Sequence, residues 1–244
     1  MSRVAVAVSV VAALGFTAAC GGDGDKDGES SSKPAKTAGS TASKDAGDAK
    51  ETTAKKPALT EAQLNEAALA DGDVKGYKVE KMPAADMPAA SVPATPATCQ
   101  PLADMFFFTS DPAATDRTGR TLAAKDQLDA TVTSLALLAH DDGDAEKVMA
   151  GLRTATEKCK SYEHTDYKYS DVQALEAPEA GDEAVAYKLK GKIEGTTIPM
   201  AFTIVRSGST LAGFYSMNAL DAAKAKIPAD VIEAQVAKLE KLAK

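Results

Sequence analysis

The chain has 244 residues, with 28 Lys and Arg against 35 Asp and Glu, a net charge of −7, no Trp and three Cys. Its basic residues form no cluster, which argues against a nucleic-acid partner and against direct adsorption to an anionic bilayer. An acidic, solvated surface remains.

The first element is an N-terminal signal. Met1 and Arg3 precede an apolar stretch from Val4 to Phe16, followed by Thr17-Ala18-Ala19-Cys20 and then Gly21-Gly22. This pattern reads as a bacterial lipoprotein signal peptide over residues 1–19, cleaved before Cys20 so that the cysteine becomes the lipid attachment site. A spanning helix needs roughly 20 consecutive apolar residues, and Ser9 interrupts this run. Ordinary secretory cleavage is the closer rival, because Thr17 stands where a lipobox usually has a large aliphatic residue. The cysteine weighs for lipidation, since a lone thiol at the mature N-terminus of an exported protein would be left without a partner. Palmitate-type acyl chains contribute about 0.8 kcal/mol per buried methylene, so two or three of them give stable attachment. The expected location is the extracytoplasmic face of the cell membrane.

Residues 20–57 comprise the lipidated cysteine and a low-complexity tether. From residue 21 onward the segment has no Val, Ile, Leu, Met, Phe, Tyr or Trp, and its seven lysines balance seven acids. Such a composition cannot bury enough apolar surface to offset its ordering entropy, so disorder is expected. A flexible chain of this length spans about 30 to 35 Å root-mean-square.

Residues 58–244 read as a single α+β domain. This segment holds 20 basic and 28 acidic residues, a net charge of −8. With Cys20 lipidated, Cys99 and Cys159 are left, and in an oxidising compartment they most simply form one disulfide. No C-x-x-C spacing and no neighbouring histidine supports a metal or redox pair instead, and no cofactor is expected.

Thr60 and Gln63 have the form of a capping box, predicting a short helix to about Leu69. A brief strand follows near Tyr77 to Lys81. Pro83, Pro88, Pro93 and Pro96 make residues 82–98 a long irregular loop, and a short helix is expected from Pro101 to Phe107. The run before Ala139 is apolar on both faces, as in a strand near the centre of a sheet. Ala145, Val148, Met149, Leu152, Ala155, Cys159 and Tyr162 then recur at helical spacing, with Asp141, Asp142, Asp144 and Glu146 near the helix start. Beyond them the period changes to two. Strands are predicted near 167–175, 183–194, 196–206 and 210–218, with tight turns at Glu194-Gly195 and Ser207-Gly208. A helix from about Pro228 to Ala243 closes the chain. The architecture expected is an antiparallel sheet of five or six strands with helices packed mainly on one face.

The order of elements, Cys159-Lys160-Ser161-Tyr162 at a helix end, the Gly181-Asp182-Glu183-Ala184 turn and the Val205-Arg206-Ser207-Gly208 hairpin carry a resemblance. Over roughly residues 59–243 the chain resembles actinobacterial surface lipoproteins and the extracellular sensor domains of PknH-type receptor kinases. That resemblance implies a domain that binds ligands or partners without catalysis. The quoted motifs are turns and a cysteine pair, so they carry structure, not chemistry.

Catalytic constellations are not evident. Ser207-Gly208-Ser209 sits in a hairpin, and His140 and His164 lie in no recognisable motif. His140-Asp141-Asp142-Gly143-Asp144 is oxygen-rich but lacks the ligand spacing of a calcium loop; its acids are explained as the cap region of the following helix, so no metal site is expected. Phe106-Phe107-Phe108 is the preferred binding surface, because three consecutive Phe cannot all point inward. The expected function is therefore binding of a ligand or an envelope protein partner, with a carrier of an apolar ligand and an envelope hydrolase as rivals. The carrier requires a closed apolar cavity and the hydrolase a cleft with convergent carboxylates or a nucleophile and base.

Overall fold

A computed structural model describes residues 57–126 and 129–242. The signal peptide, Cys20 and the tether lie outside the described residues. The fold is α+β, built on one antiparallel sheet of eight strands ordered β1-β2-β3-β8-β7-β6-β5-β4. Helix α1 (Glu61–Ala67) starts at the expected capping box, with both the Thr60 and the Gln63 side-chain bonds in place. Strand β1 (Tyr77–Lys81) pairs with β2 (Asp116–Ala124), which pairs with β3 (Thr131–Ala139). Between β1 and β2 run the proline-rich loop and the short helix α2 (Gln100–Asp104).

Helix α3 (Asp144–Lys158) then carries the chain from the middle of the sheet to its far edge, where β4 (Tyr162–His164) begins a return meander. Strands β5 (Tyr167–Leu175), β6 (Glu183–Ile193), β7 (Thr196–Ser207) and β8 (Thr210–Asn218) step back inward until β8 docks against β3. Helix α4 (Ala229–Leu242) closes the described chain. Leu135 through Ala139 are fully buried, as the two-faced apolar run of a central strand requires.

The sheet has eight strands because β2 and β4 join those that alternation revealed. Strand β2 is not assigned from sequence, because Arg117, Gly119 and Arg120 break any apolar alternation; its two arginines serve the two faces of the sheet. Arg120 donates to the Leu69 carbonyl at 3.0 Å and to Asn65, tying α1 down. Arg117 reaches across the opposite face. Strand β4 is three residues long, too short for a period to show.

The helices cover both faces, not mainly one. Leu135, Leu137, Val205, Ala212 and Phe214 face an aliphatic layer made by α1 and α4, including Leu64, Leu69, Val231, Val236 and Leu239. Ala136, Leu138, Phe202, Ile204 and Leu211 face α2 and α3 on the other side. The apolar runs in β3, β7 and β8 demand this arrangement, since each has buried side chains pointing both ways. Buried Gln235 joins the first and last helices. Its amide donates to the Ala67 carbonyl at 2.9 Å while its oxygen accepts from the Leu69 N–H at 3.0 Å.

The motifs of the resemblance are structural joints. Gly181 is left-handed (φ 61°), and a Cβ there would lie 2.3 Å from the Arg206 carbonyl oxygen. Asp182 accepts from the Gly208 N–H at 2.7 Å, and Arg206 pairs with Asp182 and with Glu146 at 3.1 Å each. One guanidinium thus clamps a turn, a hairpin and the first turn of α3.

Candidate binding face

Cys99 and Cys159 lie at disulfide distance, with Cα atoms 5.3 Å apart. Cys159 caps α3 in extended conformation instead of continuing it, and Tyr162 belongs to β4. The pair joins the end of the proline-rich loop to the end of α3, fixing both over the sheet.

Beneath them runs a cross-strand aromatic ladder. Tyr187 on β6 stacks on Phe202 of β7 with centroids 4.8 Å apart at 6°, and Phe202 stacks on Tyr215 of β8 at 4.8 Å and 20°. These three residues are directly paired in register, so the antiparallel pleat places their rings on one face. The Tyr187 hydroxyl donates to the Leu102 carbonyl at 3.2 Å, which anchors α2 on the ladder. Burial raises the Tyr187 and Tyr215 phenol pKa values, so both remain protonated at any physiological pH.

The three Phe separate by role. Phe106 is half-buried and rides on the ladder, 4.9 Å from Phe202 in an edge contact and 4.8 Å from Tyr169. Phe107 is half-buried, 5.6 Å from the His164 ring. Phe108 enters the core at 1% exposure, with a positive φ of 50°. Its ring lies over Gly213 of β8, where a Cβ would come within 3.2 Å of it. A side chain at 213 would press on the Phe108 ring and require it to give by a few tenths of an ångström, so the glycine eases the close approach of the turn to the sheet.

That turn is held by Arg117. Its guanidinium donates to the carbonyls of Phe108 and Pro88 at 2.9 Å each, with longer contacts to Phe107 and Met87. Two loops, 82–91 and 106–116, are thereby kept apart at a fixed spacing. Between them opens a cleft of about 740 Å³, floored by Arg117, Thr118 and Gly119 of β2. Gly119 lets Met82 and Met87 lie against the strand, since a Cβ there would be 2.6 Å from the Met87 sulfur. A smaller cavity of about 230 Å³ shares Gln100, Asp104, Ser110 and Asp111 with the cleft.

Asp104 is the polar centre of this region, only 3% exposed. Its Oδ1 accepts from Ser91 Oγ, from Gln100 Nε2 at 2.8 Å and from Thr109 Oγ1 at 3.3 Å. Neither Asp104 nor Arg117 was singled out by sequence. Gln100 and Asp104 stand four apart on one short helix, which is a weak signal, and nothing local tells that the loops converge on them.

The histidines lie elsewhere. His140 is fully buried and His164 nearly so, neither lines the cleft, and the ring nitrogens of His140 make no hydrogen bond among the described residues. Burial lowers both imidazole pKa values, with nearby carboxylates opposing it, Asp144 beside His140 and Asp104 beside His164. The His140 to Asp144 segment gathers no metal cage: among the described residues no group of three His, Cys, Asp or Glu is placed to hold an ion. Nor is any helix among them long and apolar enough to cross a membrane.

No protein-family profile matches the sequence, and no curated protein sequence matches it. Two solved structures are similar to it in fold comparison. One is the extracellular domain of PknH from Mycobacterium tuberculosis, at 10% identity and a TM-score of 0.46, covering 77% of this chain and 98% of that one. The other is an uncharacterised protein, the Rv0999 ortholog of Mycobacterium smegmatis, at 13% identity and a TM-score of 0.37, covering 75% and 95% respectively.

Proposed function

We propose that this protein is a lipid-anchored, extracytoplasmic, non-catalytic domain that binds a small ligand in the cleft between loops 82–91 and 106–116. The observation that carries this reading is the cleft itself: about 740 Å³, within the range of small-molecule sites, with walls fixed by Arg117. The cysteine pair supports an oxidising location, and the Thr17 to Gly22 pattern supports an anchor at Cys20. Ligand occupancy would bridge the two loops, whose outer surfaces, with half-buried Phe107, then present a ligand-dependent face to an envelope partner. A polar rim with Glu61, Asp111 and Asp116 suits a soluble ligand better than a carried lipid.

The test is in-cell photocrosslinking from Ala113 on the cleft wall, with exposed Glu240 on α4 as the control position. Adducts specific to Ala113 support the reading; identical adduct patterns from both positions refute it. For the anchor, Cys20→Ala is expected to release the protein from the membrane fraction, and retention would refute lipidation.

A further inference from the structure

Resting on the cleft reading above, the nature of the ligand follows from one unpaired group. Asp104 is nearly sealed from solvent, and buried carboxylates in folded proteins are ordinarily matched by a cation or a full set of hydrogen bonds. Asp104 has half a set. Every hydrogen bond to its carboxylate arrives at Oδ1, the Thr109 hydroxyl sharing its proton with the Asp104 carbonyl at 3.2 Å, while Oδ2 has no partner among the described residues. Oδ2 is not sealed from solvent either, in contrast to the unpartnered ring nitrogens of His140. It therefore keeps access to the space that Asp104 lines, and that space is the cleft and its smaller annex.

No protein cation fills the gap. Asp104 belongs to no ion pair among the described residues. Arg117 also lines the cleft, but both of its terminal nitrogens donate to backbone carbonyls. Lys81 stands exposed at the rim. The remaining charged groups of the lining, Glu61, Asp111 and Asp116, are all acidic, so the local field favours a positive guest. A metal ion does not suit a single free carboxylate oxygen, and no metal-holding group of three was found among the described residues. Met82, Met87 and Ala114 supply apolar wall beside it.

We propose that Asp104 Oδ2 recognises an organic cation, a protonated amine carried on a short apolar chain, bound in the cleft with its ammonium at the carboxylate and its chain along Met82 and Met87. Ser91, Gln100 and Thr109 are positioning residues: by saturating Oδ1 they fix the carboxylate and leave Oδ2 for the ammonium, which offers three donors. Gln100 also donates to the Val92 carbonyl at 2.9 Å and its oxygen accepts from the Ala94 N–H at 2.7 Å, so the loop that forms one wall is set by the same residue.

The experiment titrates the full mature chain, isotopically labelled, with butylammonium, butan-1-ol and butyrate, following the amide resonances of Met87, Thr109, Ser110 and Asp111 by NMR. Butylammonium is expected to shift them saturably and at least about fivefold more tightly than butanol, which corresponds to about 1 kcal/mol; butyrate is expected not to bind. Asp104→Asn keeps an acceptor for the three donors and removes the charge, and is expected to bring butylammonium down to the affinity of butanol. Equal binding of all three probes, tighter butyrate, or an unchanged Asp104→Asn overturns the cation while leaving a ligand cleft in place. Saturable shifts with Ca²⁺ that match those of butylammonium overturn it in favour of a metal. Silence with every probe overturns both this inference and the small-ligand reading. If thermal melting finds Asp104→Asn unfolded, exposed Asp111→Lys replaces it, with an expected loss of at least about threefold for butylammonium; no loss overturns the proposal.

Discussion

The two faces of the sheet are built from different materials. The face under α1 and α4 is mainly aliphatic and is made by the first and last helices of the described chain meeting through Gln235. The face under α2 and α3 carries the aromatic ladder, the cysteine pair, both long loops and the cleft. One face is a packing surface whose polar groups are satisfied. The other holds a left-handed Phe108, an unpartnered Tyr162 hydroxyl and a carboxylate with one open oxygen. Departures from local rules concentrate where function is to be sought, because a binding site needs shape and polar groups that packing alone would not choose.

The sharpest way to break this contrast is to cut the staple of the cleft face. Reducing the Cys99–Cys159 pair, or replacing both by Ala, opens a loop of 60 residues, and the chain-entropy model gives a loss of about 4 kcal/mol. Urea midpoints of oxidised and reduced protein measure it; no difference would mean that the pair is not bridged. Phe108→Ala is expected to cost about 3–5 kcal/mol, as for a fully buried aromatic, by the same measurement. Phe107→Ala serves as its neighbour control, with an expected loss under about 1 kcal/mol.

On the aliphatic face the effects are more modest. Thr60→Ala removes the capping box of α1, for an expected loss of about 1 kcal/mol. A larger loss would mean that α1 holds the sheet through its start as well as through its apolar side.

The histidines give the smallest and most diagnostic effect. Burial holds the folded pKa of His140 and His164 below the ordinary 6.5. The unfolded chain therefore takes up these protons first as pH falls. Stability is complete above about pH 6.5, where both states are neutral, and declines below it until the folded-state pKa is reached. Thermal melts from pH 7.5 to 5 are expected to show this decline, and His140→Phe to reduce its slope. An unchanged slope in that variant would place the acid sensitivity elsewhere.

Much of the fold was legible because its elements obey local periods. The capping box of α1, the strand at Tyr77, the two-faced run before Ala139 and the meander from Glu183 to Asn218 were readable from spacing alone. Strand β2 was not, since its arginines look like solvated charge until the groups that they reach are known. The candidate site was legible only as a neighbourhood. Phe106 to Phe108 stood out by composition, yet the three rings part ways by contacts that no spacing encodes: the ladder, His164 and Gly213.

The sequence by itself determined what is local or compositional: α+β class, most strand and helix positions, the pairing options of two cysteines, and an N-terminal pattern that reads as an anchor. Only the tertiary structure decided the number of strands, the helices on both faces and the cleft. Strand order and loop convergence depend on contacts between residues far apart in the chain. Arg117 meets Pro88 and Phe108, and Asp104 meets Ser91 and Thr109, through loops whose own sequences carry no period. The open Oδ2 of Asp104 exists only once those loops have closed around it.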